Sequence, residues 1–162
     1  MTPTEMPGSR GSPRRVVSLG GGVEAPYAVP SSSAATKMGR ANRRTDTKPE
    51  VAVRSELHRR GLRFRKDLLV RAAGEKARPD IVFTRQRVAV FVDGCFWHQC
   101  PEHGTTPKTN VEYWVPKFAA NAARDGVVNA ALAADGWQVL RFWEHELPSA
   151  VADRVEALVV RT

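Results

Sequence analysis

The chain has 162 residues, 42% of them hydrophobic, with a formal net charge of +8 and a pI near 10.2. That length suits one domain with a real hydrophobic core, and no apolar run reaches the length of a membrane span. So basic a chain is expected to meet an anionic partner, most often nucleic acid. With no long apolar leader core, it is expected to be cytoplasmic, with its two cysteines reduced.

In chain order, residues 1–36 are rich in Pro, Gly and Ser and show no helical or strand period. They predict a disordered tail, 1–37, ahead of a single domain, 38–162. The next stretch turns basic, with Lys37, Arg40, Arg43 and Arg44. Up to Asp46 there are seven Lys and Arg against three acids, so +4 of the +8 lies in this arm. A basic arm can track phosphates. The plainer alternatives are a solubilising tail, or a start placed too early with Met38 as the true beginning. Thr47-Lys48-Pro49-Glu50 is a helix start in the manner of a capping box, and about three turns follow to Arg59-Arg60-Gly61. A strand is expected over Leu62–Val70 and a loop over Arg71–Arg78. Two apolar runs, Asp80–Phe83 and Val88–Val92, flank Thr84-Arg85-Gln86-Arg87 and predict neighbouring strands joined by a tight turn. A polar loop, Gly104–Tyr113, leads to an Ala-rich helix over Trp114–Ala134, stopped by Gly136. Trp137–Trp143 alternates as a strand, and Pro148 opens a last helix, Ser149–Val160. The fold class expected is α/β, a mixed central sheet flanked by helices.

The chemistry is concentrated between Arg78 and Asn110, which hold both cysteines and two of the four histidines. Cys95-x4-Cys100-x2-His103 offers three ligands of the kinds that suit tetrahedral zinc. His145, just past a strand end, leads as the fourth ligand, and His98 competes with it. Asp80 and Asp93 stand at the ends of neighbouring strands. Two carboxylates and the Val92 backbone carbonyl could therefore share a magnesium ion, with His98 as general base. Asp80 can equally be a strand-end turn residue, Asp93 part of an Asp-Gly turn, and Glu50 the partner of Thr47 in the capping box. Phe96-Trp97 can be core or a wedge that unstacks base pairs.

The segments DTKPEVAVRSELHRRGLRFR, RPDIVF, VAVFVDGCFWHQCPEHG, PKTNVEYWVPKFAANAARD and GWQVLRFWEHEL resemble the very-short-patch repair (Vsr) endonucleases. The resemblance runs from about Met38 to Leu147. It implies a restriction-endonuclease-like fold with a structural zinc. It also implies magnesium-dependent nicking 5′ to the mispaired thymine of a T:G mismatch in double-stranded DNA, the lesion left by deaminated 5-methylcytosine. By position, Asp80 matches the magnesium-binding aspartate, Val92 a residue that binds metal through its carbonyl, His98 the catalytic histidine and Glu50 the helix glutamate. Phe96 and Trp97 match the aromatics inserted beside the mismatch. Cys95, Cys100, His103 and His145 match the four zinc ligands, with Cys100 and His103 exchanging ligand type and His145 replacing a cysteine. Asp93 stands where well-studied members carry a second histidine. The resemblance further implies a monomer. From their charge, Arg40, Arg43, Arg44 and Lys108 are expected to hold backbone phosphates, and the protein is expected at the nucleoid with other mismatch-repair proteins. A same-fold nuclease with another DNA target, or a non-catalytic zinc-stabilised DNA-binding protein, would share much of this pattern.

Overall fold

The computed structural model describes residues 16–20, 23–26 and 45–160. Its elements in chain order are β1 (Val16–Gly20), β2 (Val23–Pro26), α1 (Lys48–Arg59), β3 (Arg65–Lys66), β4 (Val70–Ala72) and β5 (Glu75–Ala77). Then come β6 (Ile81–Phe83), β7 (Val88–Asp93), α2 (Val111–Ala134), β8 (Gln138–Trp143) and α3 (Pro148–Val159).

The central sheet runs β3-β6-β7-β8. β6 and β7 are the expected antiparallel pair, with Ile81 opposite Val90 and Phe83 opposite Val88. β8 lies parallel to β7, which makes the sheet mixed. A parallel pair needs a long crossover, and the 24-residue α2 supplies it. Strand parity sorts the core. Ile81, Phe83, Val88, Val90 and Phe142 point to one face and meet Val53 and Leu57 of α1 and Val151, Ala152 and Val155 of α3. Val82 and Ala89 point to the other and meet Leu132 of α2 with Val70, Ala72 and Ala77. Cover on both faces explains why Val88–Val92 reads as an unbroken apolar run. Arg60 ties the end of α1 to α3, donating to Asp153 at 2.6 Å and Glu156 at 2.9 Å.

The structure corrects several sequence expectations. Leu62–Val70 is not one strand: only Arg65–Lys66 pairs with β6, and β4 begins at Val70. The expected loop 71–78 instead contains the β4–β5 hairpin. Ala73 and Gly74 turn it at φ 46° and 85°, the left-handed pair a tight two-residue turn needs. The helix expected from Trp114 starts at Val111. Val111 and Glu112 are exposed, so no core-facing period marks its first turn. The segment read as lacking a strand period holds β1 and β2, an antiparallel hairpin packed against α2 with Ala25 only 2% exposed. Arg40, Arg43, Arg44 and Met38 lie outside the described residues. Among those that are described, no helix is long and apolar enough to cross a membrane.

Candidate active site and metal centre

Asp80 stands one residue before β6, where Val92 ends its run on β7. The Val92 N–H donates to Asp80 Oδ2 at 2.7 Å, fixing the carboxylate at the sheet end. Burial pushes the Asp80 carboxyl up to about 6. The Val92 hydrogen bond opposes this, and the negative charges of Glu50 and Asp93 add to it. Glu50 is 4% exposed. Its carboxylate accepts from the Asp46 N–H at 2.8 Å and the Thr47 hydroxyl at 2.9 Å. The expected capping box is therefore not formed: Thr47 makes no side-chain bond to the helix backbone and turns its hydroxyl to Glu50. That leaves Glu50 beside Asp80 electrostatically, with Arg54 as a counter-charge 3.7 Å away.

His98 joins a network rather than the cysteines. Its Nδ1 lies 2.6 Å from Asp125 Oδ2. Burial alone would raise the Asp125 carboxyl, but the hydrogen bond from His98 and the charge of Arg141 outweigh it and hold the group below its usual value. An ionised carboxylate only accepts, so Nδ1 is the nitrogen that donates here, and Nε2 is the one left for other partners. Nε2 is 3.8 Å from Asp93 Oδ1. Asp93, expected as a metal-binding carboxylate, has both oxygens taken by Arg141, at 2.7 Å and 2.8 Å.

The zinc candidates come together as the spacing suggested. Cys95 and Cys100 are buried and unbridged, and one donor atom from each of Cys95, Cys100, His103 and His145 lies within 4.8 Å of the others. Neighbouring donors are 3.1 Å apart for Cys95 and His145, 3.7 Å for Cys100 and His145, and 3.2 Å for the two histidines. Bonds of about 2.3 Å to sulfur and 2.0 Å to nitrogen give tetrahedron edges of roughly 3.3–3.8 Å, so the group fits a single ion. This group could hold a metal. Burial and the neighbouring Cys100 raise the Cys95 thiol, so ion binding must displace a proton there. The Glu144 carboxylate accepts from the Cys95 N–H at 2.7 Å and fixes that corner of the loop.

Phe96 and Trp97 are half-buried. Phe96 packs edge-on against Trp97 at 5.1 Å, Trp114 at 5.1 Å and Phe118 at 5.4 Å. Asn121 of α2 donates to the Trp97 carbonyl at 2.9 Å and clips the loop to the helix. Lys108 is exposed on the loop leading into α2.

Comparison with known proteins places the chain in a family. The profile described as "DNA mismatch endonuclease Vsr" matches residues 30–102. "Type II nicking enzyme V.NaeI" from Lentzea aerocolonigenes is 53% identical over 134 residues, 82% of this chain and 81% of that one. "DNA mismatch endonuclease Vsr" from Escherichia coli (strain K12) is 36% identical over 119 residues, 72% of each chain. The chain belongs to the Vsr family. A further relative, "type II nicking enzyme V.XorIIP" from Xanthomonas oryzae, is 49% identical over 110 residues, 65% of this chain and 75% of that one.

Within this Vsr-family chain, Asp80, Val92, Asp93 and Glu50 gather at one end of the sheet. His98 lies apart from the cysteine cluster, and His145 is the histidine that joins Cys95, Cys100 and His103 in the group that could hold a metal. Sequence reasoning missed Asp125 and Arg141. Asp125 lies in the PKTNVEYWVPKFAANAARD segment that carries the family resemblance, and Arg141 interrupts the apolar strand WQVLRFW; an isolated charge in a mostly apolar strand is the signal that could have found it.

Proposed function

We propose that this protein is a magnesium-dependent DNA endonuclease that nicks one strand 5′ to the mispaired thymine of a T:G mismatch in very-short-patch repair. The observation that carries the reading is Asp80. It is a carboxylate held at a sheet end and pushed up to about 6 by burial and by Glu50 and Asp93, the environment a divalent cation relieves. Family membership, and the nicking enzymes among the relatives, support the same chemistry. The mixed sheet with helices on both faces is compatible with the restriction-endonuclease-like fold that the resemblance implies.

Asp80 and the Val92 carbonyl, with Glu50 close by, would hold magnesium. A magnesium ion there would supply charge neutralisation at the scissile phosphate and at the leaving oxygen. His98 takes a proton from the attacking water at Nε2, while Asp125 holds Nδ1. Zinc on Cys95, Cys100, His103 and His145 would fix the loop that carries His98, Phe96 and Trp97. Phe96 and Trp97 enter the base stack beside the mismatch, where unstacking costs least. Trp114 packs on both and backs them. Arg40, Arg43, Arg44 and Lys108 hold backbone phosphates. The enzyme acts as a cytoplasmic monomer at the nucleoid, ahead of further mismatch-repair proteins.

A labelled duplex with a single T:G pair, set against its T:A control with and without added Mg²⁺, tests this reading. Metal-dependent nicking of the thymine strand in the T:G duplex alone is expected. Equal cutting of both duplexes would leave a nuclease with another target. Tight binding without cutting would leave a zinc-stabilised DNA-binding protein.

A further inference from the structure

Arg141 sits on β8 opposite Phe91, on the face covered by α2, and its guanidinium lies over the Phe91 ring at 4.6 Å. All three of its nitrogens are engaged. Nε and Nη2 grip Asp93 at 2.7 Å and 2.8 Å, Nη2 also lies 3.0 Å from Asp125 Oδ1, and Nη1 donates to Asn129 at 3.0 Å. The other Asp125 oxygen holds His98 Nδ1 at 2.6 Å, and Asp93 Oδ1 faces His98 Nε2 from 3.8 Å. One guanidinium therefore bridges the two carboxylates that bracket a single imidazole.

The geometry points to Arg141 as the positioning residue for His98. It presents Asp125 to one ring nitrogen and keeps Asp93 off the other. This rests on the proposed nuclease reading and names the device that orients its base. A bidentate guanidinium fixes the plane of a carboxylate, which a single ammonium cannot do. With both oxygens chelated, Asp93 stays beyond hydrogen-bond distance of Nε2 and leaves that nitrogen open to water. Without Arg141, Asp93 is free to swing toward the Nε2 edge of the ring and crowd water away from it. Asp125 loses its second anchor, and the Nδ1 bond becomes one of several arrangements. The same bridge accounts for an aspartate at position 93: its charge is neutralised within the fold and remains part of the site.

The test compares wild type, Arg141→Ala and Arg141→Lys by two readouts. The first is single-turnover nicking of a T:G duplex, with duplex affinity measured in parallel. The second, independent of activity, is the ¹⁵N–¹H imidazole spectrum, in which the His98 Nδ1–H is protected from exchange in the wild type. In Arg141→Ala, the nicking rate is expected to fall about 100-fold with duplex affinity held within about 3-fold, and the Nδ1–H signal to disappear. Free guanidinium at millimolar concentration restores both; methylammonium restores neither. Should Arg141→Ala fail to fold, Arg141→Lys carries the test. It keeps the charge but cannot span both carboxylates, so its rate falls and its signal broadens. A wild-type rate and signal in Arg141→Lys, or losses in Arg141→Ala that guanidinium does not reverse, would overturn the inference. If the wild type does not nick T:G while the signal still depends on Arg141, the nuclease reading falls and the positioning role stands.

Discussion

Asp80 carries a cost that its surroundings impose. Its carboxyl is pushed up to about 6 from 3.8, first by burial and then by Glu50 and Asp93, against the Val92 hydrogen bond. The folded state therefore holds the Asp80 proton more tightly than the unfolded chain does. Its stabilising share is complete below about pH 4 and is lost as pH rises through about 6. At neutral pH the ionised group costs on the order of 1–3 kcal/mol when no cation is bound. Asp80→Asn removes that charge and can still accept from Val92. In urea unfolding without added divalent metal, the variant is expected to be more stable than wild type at pH 7.5, by a margin that shrinks at pH 5. Its nicking of T:G duplexes is expected to be abolished. Equal stability at both pH values would show that Asp80 is not strained, and retained nicking would remove it from the active site. The residue scale also explains what a sequence hides. Glu50 fits a capping box by spacing, and only its contacts with Asp46 N–H and the Thr47 hydroxyl separate a cap from a buried acid beside Asp80.

At the scale of the element, α1 shows how burial sorts one helix. Val53 and Leu57 face the sheet and are 3% and 0% exposed, while Val51 is 48% exposed. Leu57 packs in the cluster with Phe83, Phe142 and Val155, so Leu57→Ala leaves a hole in the face that joins α1 and α3 to the sheet. It is expected to cost about 2–5 kcal/mol, against less than about 0.5 kcal/mol for Val51→Ala. Urea unfolding at fixed pH measures both, and similar losses would contradict the assigned helix face. β4–β5 shows the opposite limit of legibility. It has only three residues per strand, and its inward side chains are Val70, Ala72 and Ala77, so the alternation is too short and too weakly apolar to read.

At the scale of the whole molecule, residues 94–110 link β7 to α2 without a helix or strand, yet carry His98, Phe96 and Trp97. Two cysteines and His103 in this segment reach across to His145, beyond β8, so one ion would close the loop against the sheet end. The purified protein is expected to hold about one zinc per chain, and chelation to lower its melting temperature and stop nicking even with excess magnesium. Cys100→Ser is expected to lose the metal and to melt lower. Protein isolated without zinc, with Cys100→Ser as stable as wild type, would remove the structural ion from this account.

The sequence by itself determined the α/β class, the β6–β7 hairpin, the long helix and the local grouping of Cys95, Cys100 and His103. Each depends on local period or on spacing within a few residues, and Cys95, Cys100 and His103 lie within nine positions. Tertiary structure decided the partners. His98 meets Asp125 across 27 positions, and Arg141 meets Asp93 across 48. Those distances in sequence close only when α2 crosses over and β8 docks parallel to β7, which sets Asp93 two rungs along the ladder from Arg141 on the same sheet face. Pairing of charges in a folded interior follows strand register and helix placement, which a single sequence carries only through the fold it specifies.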